Sequence, residues 1–162
     1  MRVAVIADTH LPRGARRLPD RCVAELERAD LILHAGDFFA ASVLDELTRL
    51  RPVVAVAGNM DDSVLRAALP ERRIVDVEDV HIGLVHDAGR SSGREERLRA
   101  SFPGCDAVVY GHTHVAQVER RHGTWILNPG SPTERRRAPS RSMLVLLVGG
   151  ARLRPQLLHL SA

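Results

Sequence analysis

Five short apolar runs in this sequence each end in side chains able to bind a metal ion. The residues at these ends are Asp8 with His10, Asp37, Asn59, His86, and His112 with His114. Apolar runs of four to seven residues are typical of buried strands in a mainly parallel sheet. Because parallel strands end at the same edge of a sheet, we expect these side chains to lie close together. The pattern restricts the chain to an α/β fold with one polar, functional edge.

The clearest of the five runs leads through Tyr110 and Gly111 into His112 and His114. Gly111 allows the backbone to turn sharply where the strand ends. Taken alone, the two histidines are also explained as partly exposed loop residues. Single aspartates commonly cap helices or close turns, and Asn59 alone suits a turn with positive φ. The recurrence of such residues at five strand ends favours a metal site over these separate explanations.

Seven ligand side chains are too many for one tetrahedral zinc ion. They suit two adjacent divalent ions, about 3.5–4 Å apart, that share a bridging carboxylate. A mixture of carboxylates and imidazoles favours Mn, Fe or Zn over Mg or Ca. Other metal and nucleotide sites are disfavoured: the chain has no H-E-x-x-H helix and no G-x-G-x-x-G after its first strand. It is also shorter than an amidohydrolase barrel requires.

Periodicity predicts alternating strands and helices in the first half and mostly strands in the second. We predict strands at 2–7, 31–35, 52–57, 74–77, 80–85, 107–110, 116–121, 125–127, 142–148 and 152–160. Predicted helices span 19–28, 40–50, 62–69 and 92–102, the last with Ser92 as its N-cap. Residues 131–141, rich in Ser, Pro and Arg, are expected to form a mobile loop. Since no linker or repeat interrupts the pattern, residues 1–162 are predicted to form a single domain.

The composition limits the kinds of partner that the chain is expected to bind. The basic residues are all arginine, and the 162-residue chain has a formal net charge of +3 with only 3% aromatic residues. So few stacking surfaces argue against nucleic acid as a partner, although the Arg135–Arg137 cluster suits either phosphate contact or a solvated surface. No apolar run approaches the roughly 20 residues that span a bilayer, so we expect a cytoplasmic protein without membrane contact. Cys22 and Cys105 are expected to be reduced thiols.

The ordered motifs D-x-H, G-D, G-N-x-D, a strand-end histidine and G-H-x-H resemble those of the calcineurin-like metallophosphoesterases. The similarity is greatest to the small YfcE-like phosphodiesterases, and it includes the Asn-Pro-Gly-Ser turn at 128–131. The resemblance implies an αββα sandwich of two mixed β-sheets flanked by helices. It also implies two divalent metal ions, most often Mn, with Fe, Zn or Ni as alternatives.

The resemblance assigns a role to each ligand position. Asp8, His10, Asp37 and His114 would hold the first ion, Asp37 would bridge, and Asn59, His86 and His112 would complete the second. Asp37, Asn59 and His112 are the expected catalytic residues. The implied reaction is hydrolysis of a small or nucleotide-like phosphodiester by in-line attack of a metal-bound hydroxide. Alternatives within the same fold are a phosphomonoesterase and a non-catalytic scaffold similar to the retromer subunit. A homodimer is also compatible with the resemblance.

The sequence departs from the family pattern at two positions. Met60 stands where many members have a histidine after the metal-binding Asn, and a thioether cannot donate a proton. Asp87 stands where glycine usually follows the metal-binding histidine. It would either support His86 as a hydrogen-bond partner, which we prefer, or repel a substrate phosphate. Asn128 and Ser131, in the Asn-Pro-Gly-Ser turn, are further candidates for supporting the ligands or binding substrate.

Overall fold

The computed structural model describes residues 1–160, which form ten strands and four helices. The strands are β1 (Arg2–Ile6), β2 (Leu31–His34), β3 (Val53–Ala55), β4 (Arg72–Val77), β5 (Val80–Val85), β6 (Ala107–Tyr110), β7 (Gln117–Arg121), β8 (Thr124–Asn128), β9 (Arg141–Gly149) and β10 (Arg152–Leu160). The helices are α1 (Asp20–Arg28), α2 (Ala41–Leu50), α3 (Ser63–Ala68) and α4 (Arg94–Ser101). None of these helices is long and apolar enough to cross a membrane.

The strands form two mixed sheets of five strands each. The first has the order β10-β9-β1-β2-β3, in which β1, β2 and β3 run parallel and β9 and β10 are antiparallel. The second has the order β4-β5-β6-β8-β7, in which β5, β6 and β8 run parallel between two antiparallel edge strands. The parallel centre of each sheet is what brings several carboxyl strand ends to one edge of the molecule.

The main core lies between the two sheets, and helices cover their outer faces. Alternate residues of β1 show the layering: Val3 and Val5 pack between the sheets, while Ala4 and Ile6 face the helices. Helices α1, α2 and α3 cover the first sheet, and α4 covers the second through Leu98 and related residues. The predicted αββα sandwich of two mixed β-sheets is therefore confirmed.

Most element boundaries agree with the periodicity to within one residue, but β3, β4 and α4 each differ by two residues at one end. This helix begins at Arg94 after Gly93, which adopts a left-handed conformation with φ of 67°, and no side chain caps it. The prediction that Ser92 is the N-cap is therefore wrong, because the chain reverses at the glycine instead. At α3, by contrast, the Asp62 side chain accepts the Leu65 N–H at 2.8 Å.

The loop at 131–141 is only partly the exposed segment that its composition suggests. Ser131 and Thr133 are buried, and their hydroxyls donate to the backbone carbonyl oxygens of Asp8 and Thr9 at 2.8 and 2.7 Å. Only the arginines at 135–137 are exposed in a row. The start of the loop is thus anchored against the end of β1, and we correct the expectation of mobility for that part.

Candidate metal centre

The seven predicted ligands come together at the carboxyl ends of the parallel strands. Ligand atoms of Asp8, His10 and His114 all lie within 4.8 Å of one another, and those of Asp8, Asp37 and His86 do the same. The remaining two, Asn59 and His112, join through hydrogen-bond contacts described below. Strands of both sheets contribute, so the centre lies at the junction between them.

Five of the ligands occupy a backbone conformation that L-amino acids rarely adopt. The φ angle is positive at Asp8 (55°), His10 (46°), Asp37 (60°), His112 (68°) and His114 (60°). Such conformations cost of order 1–3 kcal/mol each and concentrate at functional sites. The sharp turns direct the ligand side chains of successive strand ends towards one point. A backbone that continued in the extended conformation would not do this.

Glycines allow the ligand loops to approach closely. A Cβ at Gly58 would lie 2.1 Å from Asp37 Oδ1, and one at Gly36 would lie 2.7 Å from His86 Nδ1. Both distances are shorter than any real contact of a Cβ atom. The glycines in G-D and G-N-x-D therefore make room for the ligand side chains.

Asp37 lies at the middle of the centre. Its Oδ2 atom is 3.1 Å from His10 Nε2 and 3.2 Å from His86 Nε2, while its Oδ1 accepts the Met60 N–H at 2.8 Å. One carboxylate oxygen thus faces an imidazole from each side. This placement fits the bridging role that the resemblance assigns to Asp37.

The first group of ligands, Asp8, His10 and His114, is buried, and we call it the inner half. Asp8 Oδ1 lies 3.4 Å from His114 Nε2 and 4.0 Å from His10 Nε2. Neither Asp8 Oδ1 nor His114 Nε2 has a hydrogen-bond partner among residues 1–160, although both are buried. Buried polar atoms without partners are costly, and a cation between them would satisfy both. The residues present therefore fit a metal ion.

The second group is Asn59, His86 and His112. It reaches the surface through Asn59 and His112, and we call it the outer half. Asn59 Oδ1 is 3.1 Å from both His86 Nε2 and His112 Nδ1. His86 is held from behind by its Nδ1, which lies 2.7 Å from the Ala35 carbonyl oxygen. That contact makes Nδ1 the donor and leaves Nε2 free to bind a metal ion.

Burial and charge shift the pKa values in opposite directions across the centre. Burial raises the pKa of Asp8 to about 7 and lowers that of His114 to about 4. For Asp37 burial acts to raise the pKa, but the hydrogen bonds from His10 and His86 prevail and hold it well below its usual range. Divalent ions at such a site would stabilise the carboxylate form of Asp8 and compete with protons for the imidazoles.

Comparison with known proteins agrees with this geometry. Residues 1–150 match the model of the calcineurin-like phosphoesterase superfamily domain. The chain belongs to the calcineurin-like phosphoesterase superfamily. A probable metallophosphoesterase of Methanothermobacter thermautotrophicus is 34% identical over 164 residues, which cover 100% of this chain and 94% of that protein. The predicted family is confirmed.

Solved structures show the same fold at lower identity. Entamoeba histolytica Vps29 complexed with zinc superimposes with a TM-score of 0.78 at 21% identity, covering 98% of this chain and 99% of that one. The E. coli phosphoesterase YfcE gives a TM-score of 0.68 at 23% identity over 91% of this chain and 88% of that one. These two matches establish the metallophosphoesterase architecture of the chain.

The two departures from the superfamily pattern occupy different places. Met60 is 48% exposed beside the outer half, and its backbone N–H, not its side chain, contacts Asp37. Asp87 does not support His86: its Oδ1 accepts the N–H of Gly89 at 2.8 Å, and the Ala35 carbonyl oxygen holds the imidazole instead. We therefore correct the expectation that Asp87 is the hydrogen-bond partner of His86.

Asn128 and Ser131 are buried behind the ligands. The Asn128 amide donates to the Gly111 carbonyl oxygen at 3.1 Å, immediately before His112. The Ser131 hydroxyl donates to the Asp8 carbonyl oxygen at 2.8 Å. Both side chains hold the backbone of ligand-bearing turns, which fits the supporting role more than direct contact with a substrate.

Two further residues of the centre were missed in the sequence. Glu134 Oε2 lies 2.8 Å from His10 Nδ1, and Asp61 accepts the backbone N–H groups of Gly58 and Phe39 at 2.7 and 3.0 Å. Asp61 had a signal, because it is the last residue of the G-N-x-D motif. Glu134 had none, since it sits in an arginine-rich loop far along the chain from His10.

Proposed function

We propose that this protein is a dinuclear-metal-dependent phosphodiesterase that hydrolyses a small or nucleotide-like phosphodiester. One observation carries the proposal: Asp37 Oδ2 lies between the imidazoles of His10 and His86. Beside it lie Asp8 Oδ1 and His114 Nε2, which have no hydrogen-bond partner within residues 1–160. Two ligand groups that share a carboxylate are the arrangement that two-metal phosphoryl transfer uses.

The ligand groups divide between two ions. Asp8, His10 and His114 would hold the inner ion, Asn59, His86 and His112 the outer one, and Asp37 both. When bound, two divalent ions supply a water nucleophile of lowered pKa and neutralise the phosphoryl oxygens. Mn is the expected metal, with Fe, Zn or Ni as alternatives, because carboxylate, amide and imidazole donors suit these ions.

The protein's own residues position the ligands and shape the reaction. The Met60 N–H and the buried Asp61 carboxylate hold Asp37 and its turn from one side. The Ala35 carbonyl oxygen fixes the tautomer of His86. Asn59 and His112 lie at the more open side of the centre, where a substrate phosphate enters, and this fits their expected catalytic roles.

The side chain at position 60 sets the preference among leaving groups. Met60 projects into solvent beside Asn59 and offers no proton to a departing alkoxide. General acid catalysis is typically worth 10²–10⁴-fold. We therefore expect the chain to favour esters whose leaving group needs no proton, such as nitrophenolates.

The test is hydrolysis of bis(p-nitrophenyl) phosphate and p-nitrophenyl phosphate by the purified protein with Mn²⁺. We expect Mn²⁺-dependent turnover of the diester that is lost in Asp37→Asn. Asp45→Asn, an exposed position on α2, is the matched control and should behave as the wild type. Absence of metal-dependent turnover of either ester would contradict the proposal, and preference for the monoester would favour a phosphomonoesterase.

A second candidate, a protein-binding scaffold, is favoured by the fold likeness to Vps29, a vacuolar protein sorting protein in Cryptosporidium parvum (TM-score 0.79). Against it, this chain keeps all seven ligand positions. A scaffold needs no metal turnover, so two tightly retained ions with diester hydrolysis would exclude a purely structural role. Retained ions without any hydrolysis would favour the scaffold.

A further inference from the structure

A cavity of about 900 Å³ lies beside the turn that carries His112 and His114. Thr113, between the two histidines, and Val115, just after them, form part of its wall. Three arginines, Arg94, Arg136 and Arg137, line the rest together with Tyr110 and Gln117. The volume is in the range of small-molecule sites, about 300–1,000 Å³. The cavity therefore adjoins the turn that carries two of the ligands, although no ligand lines it, and it carries concentrated positive charge.

Little of this charge is neutralised by the protein. Within residues 1–160, neither Arg94 nor Arg137 forms an ion pair with a carboxylate, unlike Arg121 and Arg136. The Arg94 guanidinium lies 5.5 Å above the Tyr110 ring, and its buried Nε has no hydrogen-bond partner among the described residues. Arg94 Nη2 donates to the Gly89 carbonyl oxygen at 3.1 Å, but this bond does not neutralise its charge. Guanidinium groups without a carboxylate partner favour an anion of matching geometry.

The two nearby carboxylates are already engaged. Glu134 lies 3.7 Å from Arg136 Nε, but it also contacts His10 at 2.8 Å. Glu95 pairs with Arg121 at 3.1 Å and accepts the Gln117 amide N–H at 3.1 Å. Arg136 thus links the cavity to the inner half of the metal centre through a single glutamate.

We propose that this cavity, which we call the arginine pocket, binds a second phosphate group of the substrate while the diester lies at the metal ions. The inference rests on the proposed phosphodiesterase function and narrows its substrate to diesters that carry an additional phosphate. A phosphate fits better than a stacked base, because Tyr110 is buried beneath Arg94 and offers no open aromatic face.

The kinetic test compares two substrates that differ by one phosphate. These are the p-nitrophenyl ester of thymidine 5′-phosphate and the same ester with a 3′-phosphate. For the wild type with Mn²⁺, kcat/KM should be at least about tenfold higher for the 3′-phosphorylated ester, since charge-assisted hydrogen bonds contribute that much. In Arg94→Gln/Arg137→Gln the ratio should fall towards one.

The control removes the same charge elsewhere. Arg120→Gln/Arg152→Gln lies in a separate cavity beside Trp125 and should keep the wild-type ratio. An equal fall in both double variants would show a general effect of net charge and overturn the proposal. A wild-type ratio near one would overturn it as well.

A binding measurement separates the arginine pocket from the chemistry. Isothermal titration calorimetry of the Mn²⁺-loaded protein should give at least about tenfold tighter binding of thymidine 3′,5′-bisphosphate than of thymidine 5′-monophosphate. If this preference depends on Arg94 and Arg137 but no ester is hydrolysed, phosphate binding by the arginine pocket is supported and the proposed function is contradicted. If bis(p-nitrophenyl) phosphate is hydrolysed but the preference is absent, the proposed function is supported and phosphate binding by the arginine pocket is contradicted.

Discussion

The inner half of the metal centre is sealed inside the protein, whereas the outer half opens to solvent. Asp8, His10 and His114 are 0%, 2% and 1% exposed. In the outer half His86 is also buried, but Asn59 is exposed and His112 is half-buried. The inner half also has a carboxylate, Glu134, behind one of its imidazoles. Burial and supporting contacts strengthen metal binding, whereas exposure suits exchange of substrate. The difference indicates that the two ions would bind with unequal affinity.

The largest expected effect is on metal content, in two separate variants that each replace one histidine, one from the inner half and one from the outer half. His114→Ala should weaken binding of the inner ion by about 10³-fold or more, beyond the 10–100-fold that loss of a supporting contact costs. His112→Ala should leave the inner ion in place and deplete only the outer one. Metal content by plasma mass spectrometry after dialysis, at matched protein concentration, distinguishes the variants. Equal depletion in both would contradict the inequality of the halves.

The support behind the inner half gives the next effect. Glu134→Gln removes the charge that faces His10 Nδ1 and should weaken binding of the tighter Mn²⁺ ion by about 10–100-fold. Titration calorimetry against the chelated apoprotein measures this affinity. Glu119→Gln, which breaks an exposed pair with Arg121, is the matched control and should bind as the wild type does. An unchanged affinity in Glu134→Gln would show that the glutamate does not support the inner half.

The outer half is tested at Met60. Met60→His places a proton donor at the open side of the centre and should raise kcat about tenfold for alkyl diesters, part of the range for general acids. Bis(p-nitrophenyl) phosphate, whose leaving group needs no proton, should gain much less. Val64→His, an exposed apolar position on α3, controls for the added imidazole. A gain of the same size on both esters would argue against a missing acid.

The ligands of both halves were predictable because each follows a local pattern. A strand of three to six residues is followed closely by a polar residue, in three of the five cases directly after a glycine, and parallel pairing brings these strand ends together. Asp8 and Asp37 meet in this way across β1 and β2, whose residues Ile6 and His34 are paired in register. The packing of two sheets into a sandwich could not be predicted from these local patterns, and its prediction came from the family resemblance.

The supporting contacts were not predictable because they join distant segments without a periodic signal. Glu134 is 124 residues from His10, and its surroundings suggested only an exposed arginine-rich loop. The prediction for Asp87 was wrong for the opposite reason, because closeness in sequence suggested a contact that the structure does not contain. Asp87 is the neighbour of His86 in sequence, but consecutive residues beyond a strand point to opposite sides, so it turns away from the imidazole.

The smallest expected effect concerns His34, which ties the turns of the inner half together. The imidazole is fully buried, contacts the Thr9 hydroxyl at 3.2 Å and accepts the Gly36 N–H at 3.2 Å. Burial holds its pKa well below the ordinary 6.5. Above pH 6.5 the side chain is neutral in both the folded and unfolded states, so it adds no pH dependence. Below pH 6.5 the unfolded chain takes up a proton that folded His34 does not, and stability falls.

Between pH 7.5 and 5.5 this difference should lower the free energy of unfolding by about 1.4 kcal/mol. Urea unfolding of the metal-free protein at both pH values measures the loss. His34→Gln keeps a hydrogen-bonding amide but cannot titrate, so its loss should be smaller than that of the wild type by about this amount. His122→Gln, in the exposed turn between β7 and β8, should show the full wild-type loss. If His34→Gln showed it too, the acid sensitivity would come from the ligands themselves, and the inner half would owe none of it to the residue behind them.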